Sequence, residues 1–221
     1  MSVVIAIIQK DLQAELRSRE LVATMLLFSL LSVLVFSFAL ELDRVAEEQA
    51  VSGVLWVTIV FASLLGLNRS MAMESDNASI DALLLAPISR GAIFAGKLFS
   101  NFVFTLAVGL LLMPLMTLLY NLNLLDGWLL LVVILGTLGI CVTGTLLATM
   151  ALQSRSPAAL LAIVQLPVVL PILLAAVISS NGIIGGVAPF SDWSAWIQIL
   201  VAINIIYLAL CFLMFSYVIE E

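Results

Sequence analysis

The side chains that most often carry out chemistry in proteins are scarce in this sequence. The 221 residues include no histidine, so no imidazole is available to bind a metal or relay protons. The two cysteines, Cys141 and Cys211, lie in separate apolar stretches without metal-ligand spacing, and we interpret them as packing residues. The chain also lacks the G-x-x-x-x-G-K-[ST] motif that binds nucleoside triphosphates. We therefore predict that it is not an enzyme and that energy for any work comes from a partner.

Most of the candidate functional residues lie between Asn68 and Lys97. This segment opens with acidic residues and continues into a predicted amphipathic helix over Ser79–Ala86, which Pro87 ends. After a turn, a second predicted helix leads through Lys97 into the third span. The Ser79–Ala86 helix either lies on the membrane surface or docks into a soluble partner as an apolar knob with acidic flanks. The candidate contact residues of the whole segment are Glu74, Asp76, Ile80, Asp81, Leu83, Leu84, Leu85 and Pro87.

The composition of the chain excludes water as its main solvent. Hydrophobic residues make up 64% and charged residues 10%, whereas soluble domains carry about 25% charged residues. The apolar residues form blocks long enough to cross a bilayer as helices, without the alternation of a membrane β-barrel. We therefore predict an all-α membrane protein with six transmembrane helices. The predicted spans are Leu21–Leu40, Val51–Leu67, Leu98–Tyr120, Trp128–Leu152, Ala158–Ile178 and Trp196–Ile219.

The basic residues predict which loops face the cytoplasm. Seven of the eight Lys and Arg fall in one set of loops, and only Arg44 falls in the other. By the positive-inside rule, both ends of the chain and the Asn68–Lys97 segment are cytoplasmic. The opposite loops are acidic, and four tryptophans near span ends are typical of interfacial anchors. The seven basic residues are Lys10, Arg17, Arg19, Arg69, Arg90, Lys97 and Arg155, the acidic residues are Glu41, Asp43, Glu47, Glu48, Asp126 and Asp192, and the tryptophans are Trp56, Trp128, Trp193 and Trp196.

The segment Ser2–Glu20 differs from the spans that follow it. Ile5, Ile8, Leu12 and Leu16 recur at helical spacing with charged residues on other faces, which predicts an interfacial helix. The alternative is a simple charged leader. The apolar stretch that follows is too long for a signal peptide and lacks a cleavage site, so we expect the segment to be retained. We treat residues 1–221 as a single membrane domain, with an interfacial helix over 1–20.

Proline and glycine predict where the spans bend and where they pack. Pro167 and Pro171 lie one turn apart in the fifth span, where their missing N–H groups loosen the helix. This pair is either a hinge or a purely structural kink. In the fourth span, Gly136, Gly139 and Gly144 accompany threonines, and such small residues predict a close helix-packing face.

Segments spread over about residues 5 to 219 carry a family resemblance. They are Gly53–Val57 and Leu64–Arg69 in the second span, Ser79–Ser89 and Lys97 in the long loop, Gly136–Ile140 and Gly144–Ala148 in the fourth span, and Ser154–Arg155 with Leu166–Pro171 around the fifth. In their order and spacing, these segments resemble the haem exporter B permease family (CcmB) of cytochrome c maturation.

The resemblance implies the permease subunit of an ABC-type complex in the bacterial inner membrane. The partners it implies are a cytoplasmic ATP-binding subunit (CcmA), the haem-handling protein CcmC, the small CcmD and the periplasmic haem chaperone CcmE. A second copy of this chain is expected, because an ABC permease needs two membrane halves. ATP would bind the partner, haem would be handled by the complex, and this chain alone would hold no cofactor. The Asn68–Lys97 segment becomes the expected coupling segment, with Pro167 and Pro171 as hinge elements.

Three functions remain open on the sequence. The chain lines a path for haem, or its ATP-driven motion releases haem-loaded chaperone from CcmC, or it exports a lipid or polysaccharide. The second is slightly favoured, because the spans offer no histidine for haem iron and no Arg or Lys for its propionates. We also expect no polar residue to mark a binding site within the spans. The double-proline span and Gly53–Val57 argue against the third function.

Overall fold

A computed structural model describes residues 3–40, 44–76, 89–152, 154, 156–186 and 190–218. Those residues form seven α-helices without a strand, which confirms the all-α class. Six of these helices are long and apolar enough to cross a membrane. In chain order the helices are α1 (Val3–Ser18), α2 (Glu20–Leu40), α3 (Arg44–Asp76), α4 (Arg90–Tyr120), α5 (Gly127–Leu152), α6 (Pro157–Gly185) and α7 (Phe190–Val218).

Several helices extend past the span limits that the sequence predicted. Helix α3 continues beyond Leu67 to Asp76, because Met71 still packs against apolar residues of α5 and α6. Helix α4 begins at Arg90 instead of Leu98. The helix predicted to lead through Lys97 into the third span is therefore confirmed. The Asn68 end of the segment is also helical, where the sequence indicated a connecting loop. The predicted helix Ser79–Ala86 lies outside the described residues.

Helices α3 and α5 form the centre of the bundle. In the most apolar window of each, 72% of the residues are buried, against 22% in α2 and α7 and 33% in α4 and α6. The indole of Trp56 in α3 is fully buried and lies against the backbone of Gly136 in α5. A Cβ at Gly136 would overlap that ring, so the glycine permits the close approach of the two central helices.

Contacts between helices define two ends of the bundle. The basic end holds α1, the starts of α2, α4 and α6, and the ends of α3, α5 and α7; there the rings of Phe94 and Phe215 lie 4.9 Å apart. The acidic end holds the opposite helix ends, and there the rings of Trp128 and Trp193 lie 5.6 Å apart. The basic end is the one predicted to be cytoplasmic. Its described basic residues are Lys10, Arg17, Arg19, Arg69, Arg90 and Lys97, while the acidic end carries Asp126 and Asp192.

Candidate functional site

Glu15, near the end of α1, caps the first span. Its carboxylate accepts hydrogen bonds from the backbone N–H groups of Leu21 at 3.3 Å and Val22 at 2.8 Å. These N–H groups belong to the first turn of α2, which has no helical carbonyl for them and favours negative charge. The chain turns between α1 and α2 at Arg19, whose φ of 57° is left-handed. The buried Glu15 thus fixes how α1 joins the first span.

Asp11 and Lys97 form an ion pair that joins α1 to α4. The Lys97 Nζ lies 3.3 Å from Oδ1 and 3.2 Å from Oδ2 of Asp11. The two side chains are mostly buried, and Lys10 Nζ lies 3.7 Å from the same carboxylate. Removing a charge from water is costly unless it is paired, so Asp11 explains how a lysine can lie buried at the start of a span.

A cavity of about 180 Å³ lies beside this ion pair, between α1, α2, α3 and α4. A smaller cavity of about 20 Å³ reaches α5. Ser70, Lys97 and Asn101 line both cavities. Asn101 Nδ2 also donates a hydrogen bond to Thr145 Oγ1 at 3.1 Å, which joins α4 to α5. Polar contacts at the basic end therefore lead from α1 through α4 to the central helix α5.

Arg69 of α3 forms an ion pair with Glu20 at the start of α2. Both side chains are about half exposed, so water and salt screen the attraction and its stabilisation is about 0–1 kcal/mol. Its position is more informative than its strength. Arg69 and Lys97 lie on the two helices that flank residues 77–88, and they pair with α2 and α1 respectively.

The predicted coupling residues fall largely outside the described part of the chain. Ile80, Asp81, Leu83, Leu84, Leu85 and Pro87 all lie within 77–88, and Glu74 and Asp76 lie in the final turns of α3. The structure gives the two points at which this segment leaves α3 and enters α4. The contact face of the segment stays a prediction.

Gly139 and Gly144 of α5 lie in close contact with neighbouring helices. A Cβ at Gly139 would lie 2.9 Å from Oδ1 of Asn204 in α7. A Cβ at Gly144 would lie 2.9 Å from Nε2 of Gln165 in α6 and would overlap the side chain of Leu67 in α3. Any larger residue at either position would force its neighbours to shift.

Pro167 and Pro171 lie on the exposed face of α6, directed away from the rest of the bundle. Between them, the carbonyl oxygen of Val168 accepts a hydrogen bond from Tyr207 Oη of α7 at 3.0 Å. A neighbouring helix therefore contacts the backbone between the two prolines, although the carbonyls that the prolines leave without a helical donor are those of Ile163 and Pro167.

The spans bury polar side chains that sequence reasoning missed. Gln165 is 1% exposed and Asn204 is 5% exposed. Asn204 Nδ2 donates to the carbonyls of Leu135 at 3.1 Å and Leu200 at 2.8 Å. Their burial does not show a binding site, so the expectation that no polar residue marks one within the spans stays a prediction. A single amide barely changes the mean hydropathy of a long stretch, which is why hydropathy missed these residues. The signal that could have found them is an isolated Gln or Asn within an apolar span.

The described residues contain no group of three or more His, Cys, Asp or Glu side chains that could hold a metal. The described charged side chains that are buried, Glu15 and Lys97, both lie at the basic end. Both take part in contacts that join α1 to the spans.

Comparisons with known proteins agree with this membrane architecture. A family model described as CcmB protein matches residues 2–220. A protein of Bradyrhizobium diazoefficiens named Heme exporter protein B is 29% identical over 199 residues, which cover 86% of this chain and 88% of the relative. Proteins of the same name from Rhodobacter capsulatus and Haemophilus influenzae are 28% and 24% identical. They match over 76% of this chain in each case and over 78% and 76% of their own lengths.

Proposed function

Because the chain belongs to the CcmB family, we propose that it is the membrane subunit of a haem exporter complex and couples ATP hydrolysis by a partner subunit to motion of its spans. The family assignment and the six apolar helices support a multi-pass membrane protein. The location proposed for it is the bacterial inner membrane, with the basic end in the cytoplasm.

The observation that carries this proposal is the connection of both helices that flank residues 77–88. On one side, Arg69 of α3 pairs with Glu20 of α2. On the other side, Lys97 of α4 pairs with Asp11 of α1. A force applied to residues 77–88 would act on α3 and α4 directly, and on α2 and α1 through these pairs.

The ATP-binding partner is CcmA, and CcmC, CcmD and the chaperone CcmE complete the proposed assembly around two copies of this chain. We favour motion that releases haem-loaded chaperone over passage of haem through this chain, because the chain contains no histidine for the iron. ATP-dependent movement of haem across vesicles that contain only this chain and CcmA would contradict that preference.

The coupling role is tested by replacing Leu83 and Leu84 together with aspartate. Two charges on the apolar face should prevent docking of the ATP-binding subunit, because the carboxylates would have to be desolvated without partners. We expect the variant to insert into the membrane normally but to lose co-purification of that subunit. The matched control is Leu16→Asp, which places a charge on the exposed face of α1.

The two variants give opposite answers if docking occurs elsewhere. Retention of the subunit by the Leu83→Asp/Leu84→Asp variant, with its loss in Leu16→Asp, would move the docking site to α1. Loss in both variants would indicate a site shared by both segments.

A further inference from the structure

Gln165 lies in the half of α6 that is nearer the basic end, packed against α5 and α3. Its Nε2 lies over Gly144 beside the side chain of Leu67. Neither Nε2 nor Oε1 has a hydrogen-bond partner among the described residues, although the side chain is 1% exposed. An amide that is buried without partners loses its hydration and gains nothing in return. The conformation of α6 in this structure is therefore destabilised at Gln165.

The half of α6 nearer the acidic end is held by polar contacts. Ser52 Oγ of α3 donates to Asn181 Oδ1 at 2.9 Å. The indole Nε1 of Trp56 donates to Ser180 Oγ, also at 2.9 Å. Both hydrogen bonds tie this half to the buried central helix α3.

The two prolines separate the held half from the half that contains Gln165. Each proline removes a helical hydrogen bond, so α6 resists bending least at Pro167 and Pro171. Their rings face out of the bundle, so bending there breaks no packing of the rings against other helices. A bend at the prolines would move Gln165 while Ser180 and Asn181 stay in place.

If α6 takes another position, helix α3 offers a hydrogen-bond partner for the Gln165 amide. Asn68 follows Leu67 in sequence, and its buried Oδ1 has no hydrogen-bond partner among the described residues. Because Leu67 already lies beside Gln165 over Gly144, a small displacement of this half of α6 relative to α3 is the kind of motion that would pair the two groups.

We propose that Gln165 is a positioning residue for the motion of α6. Its unpaired amide lowers the stability of the present conformation, and the amide pairs with Asn68 after the half of α6 that contains it bends at the prolines. This inference rests on the proposed function, since the ATP-binding subunit supplies the motion.

The first test is thermal unfolding of the purified chain with Gln165→Met, which keeps the length of the side chain and removes the amide. We expect the melting temperature to rise by about 2–6 °C. The matched control is Ser180→Ala in the same helix, which leaves Trp56 Nε1 unpaired and should lower it. An unchanged or lowered melting temperature in Gln165→Met would overturn the proposal, because the amide would then be satisfied.

The second test measures ATP-driven turnover of the complex assembled with the ATP-binding subunit. Stabilising the present conformation should slow the transition of α6 out of it. Gln165→Met should therefore lower ATP-driven turnover on the order of fivefold or more. A merely structural residue would not combine higher stability with lower turnover. Unchanged turnover in Gln165→Met would overturn the proposal. Absence of ATP-driven turnover in the wild-type complex would instead contradict the proposed function, so the two failures are distinguishable.

The third test locates the bend with spin labels on exposed positions. Ile163→Cys and Leu174→Cys place labels on the two sides of the prolines, each measured against a label at Leu118→Cys in α4. We expect trapping of the complex with ATP and vanadate to change the distance from position 163 and to leave the distance from position 174 unchanged. Equal changes at both positions would indicate that α6 moves as a rigid body and would overturn the proposal.

Discussion

Asp11 and Glu15 lie one turn apart on α1 and serve different neighbours. Asp11 pairs with Lys97 of α4, whereas Glu15 caps the first turn of α2. The row that faces the bundle also includes the buried Ile7, while Ile5 and Leu16 are exposed. The apolar row that the sequence predicted is thus only partly turned toward the bundle, and its exposed residues are available to the bilayer surface.

The buried ion pair gives a prediction for single and paired substitutions. Lys97→Met leaves the Asp11 carboxylate mostly buried without its closest cation, which should destabilise the chain by about 1–3 kcal/mol. Adding Asp11→Asn removes the unpaired charge and should recover part of that loss. Thermal unfolding of both single variants and the double variant measures the coupling.

Arg17→Ala on the same helix serves as the control, because Arg17 is exposed and forms no ion pair with another described residue, so little change is expected. Purely additive losses in the double variant would contradict a direct interaction between Asp11 and Lys97.

Helices α3 and α4 show how packing extends an element beyond its apolar stretch. Asn68, Arg69 and Ser70 interrupt the hydropathy of the second span, which is why the sequence indicated a loop there. The helix continues because Met71 is buried against apolar residues of α5 and α6. The result is a helical extension of α3 up to Asp76, next to the proposed coupling residues 77–88.

Helix α6 gives a prediction at the scale of the whole element. Replacing Pro167 and Pro171 with alanine restores two backbone donors and straightens the helix. Since both prolines are exposed, we expect assembly to be preserved while ATP-coupled turnover decreases. Co-purification with the ATP-binding subunit and turnover of the assembled complex are the two measurements.

The single variants Pro167→Ala and Pro171→Ala separate the contributions of the two positions, and Pro114→Ala in α4 is the matched control. Equal turnover in the wild type and the double variant would reduce the prolines of α6 to structural kinks.

Across the whole molecule, burial divides the six spans into a centre and a periphery. The central helices α3 and α5 carry Trp56 and the glycines Gly136, Gly139 and Gly144, and the other four spans bury only 22–33% of their most apolar windows. The proposed coupling residues 77–88 follow directly on the central helix α3, so they are joined by the chain to the core of the bundle.

The orientation of the bundle gives a prediction that cysteine labelling can check. Asn123 and Ser191 are exposed at the acidic end, and Leu16 and Ser156 are exposed at the basic end. In intact cells, a maleimide that cannot cross membranes should label Asn123→Cys and Ser191→Cys and should spare Leu16→Cys and Ser156→Cys. The native Cys141 and Cys211 are buried and should contribute little background.

Permeabilised cells provide the control, in which all four variants should react. Labelling of the basic end in intact cells would reverse the proposed orientation.

The sequence by itself determined the class of the protein and its number of spans. Apolar stretches of bilayer length need no tertiary information, since lipid forces every such stretch to satisfy its backbone as a helix. The order of motifs such as Ser79–Ser89 and Leu166–Pro171 was sufficient for the family.

Only the tertiary structure decided which polar residues meet. Asp11 and Lys97 are 86 positions apart in sequence, and Glu15 reaches Val22 only because the chain turns at Arg19. Gln165 is visible in the sequence as an isolated amide, but its burial is not, because that burial depends on Gly144 of another helix. Hydropathy measures the affinity of each stretch for lipid, whereas the pairing of polar groups depends on which helix faces lie against each other.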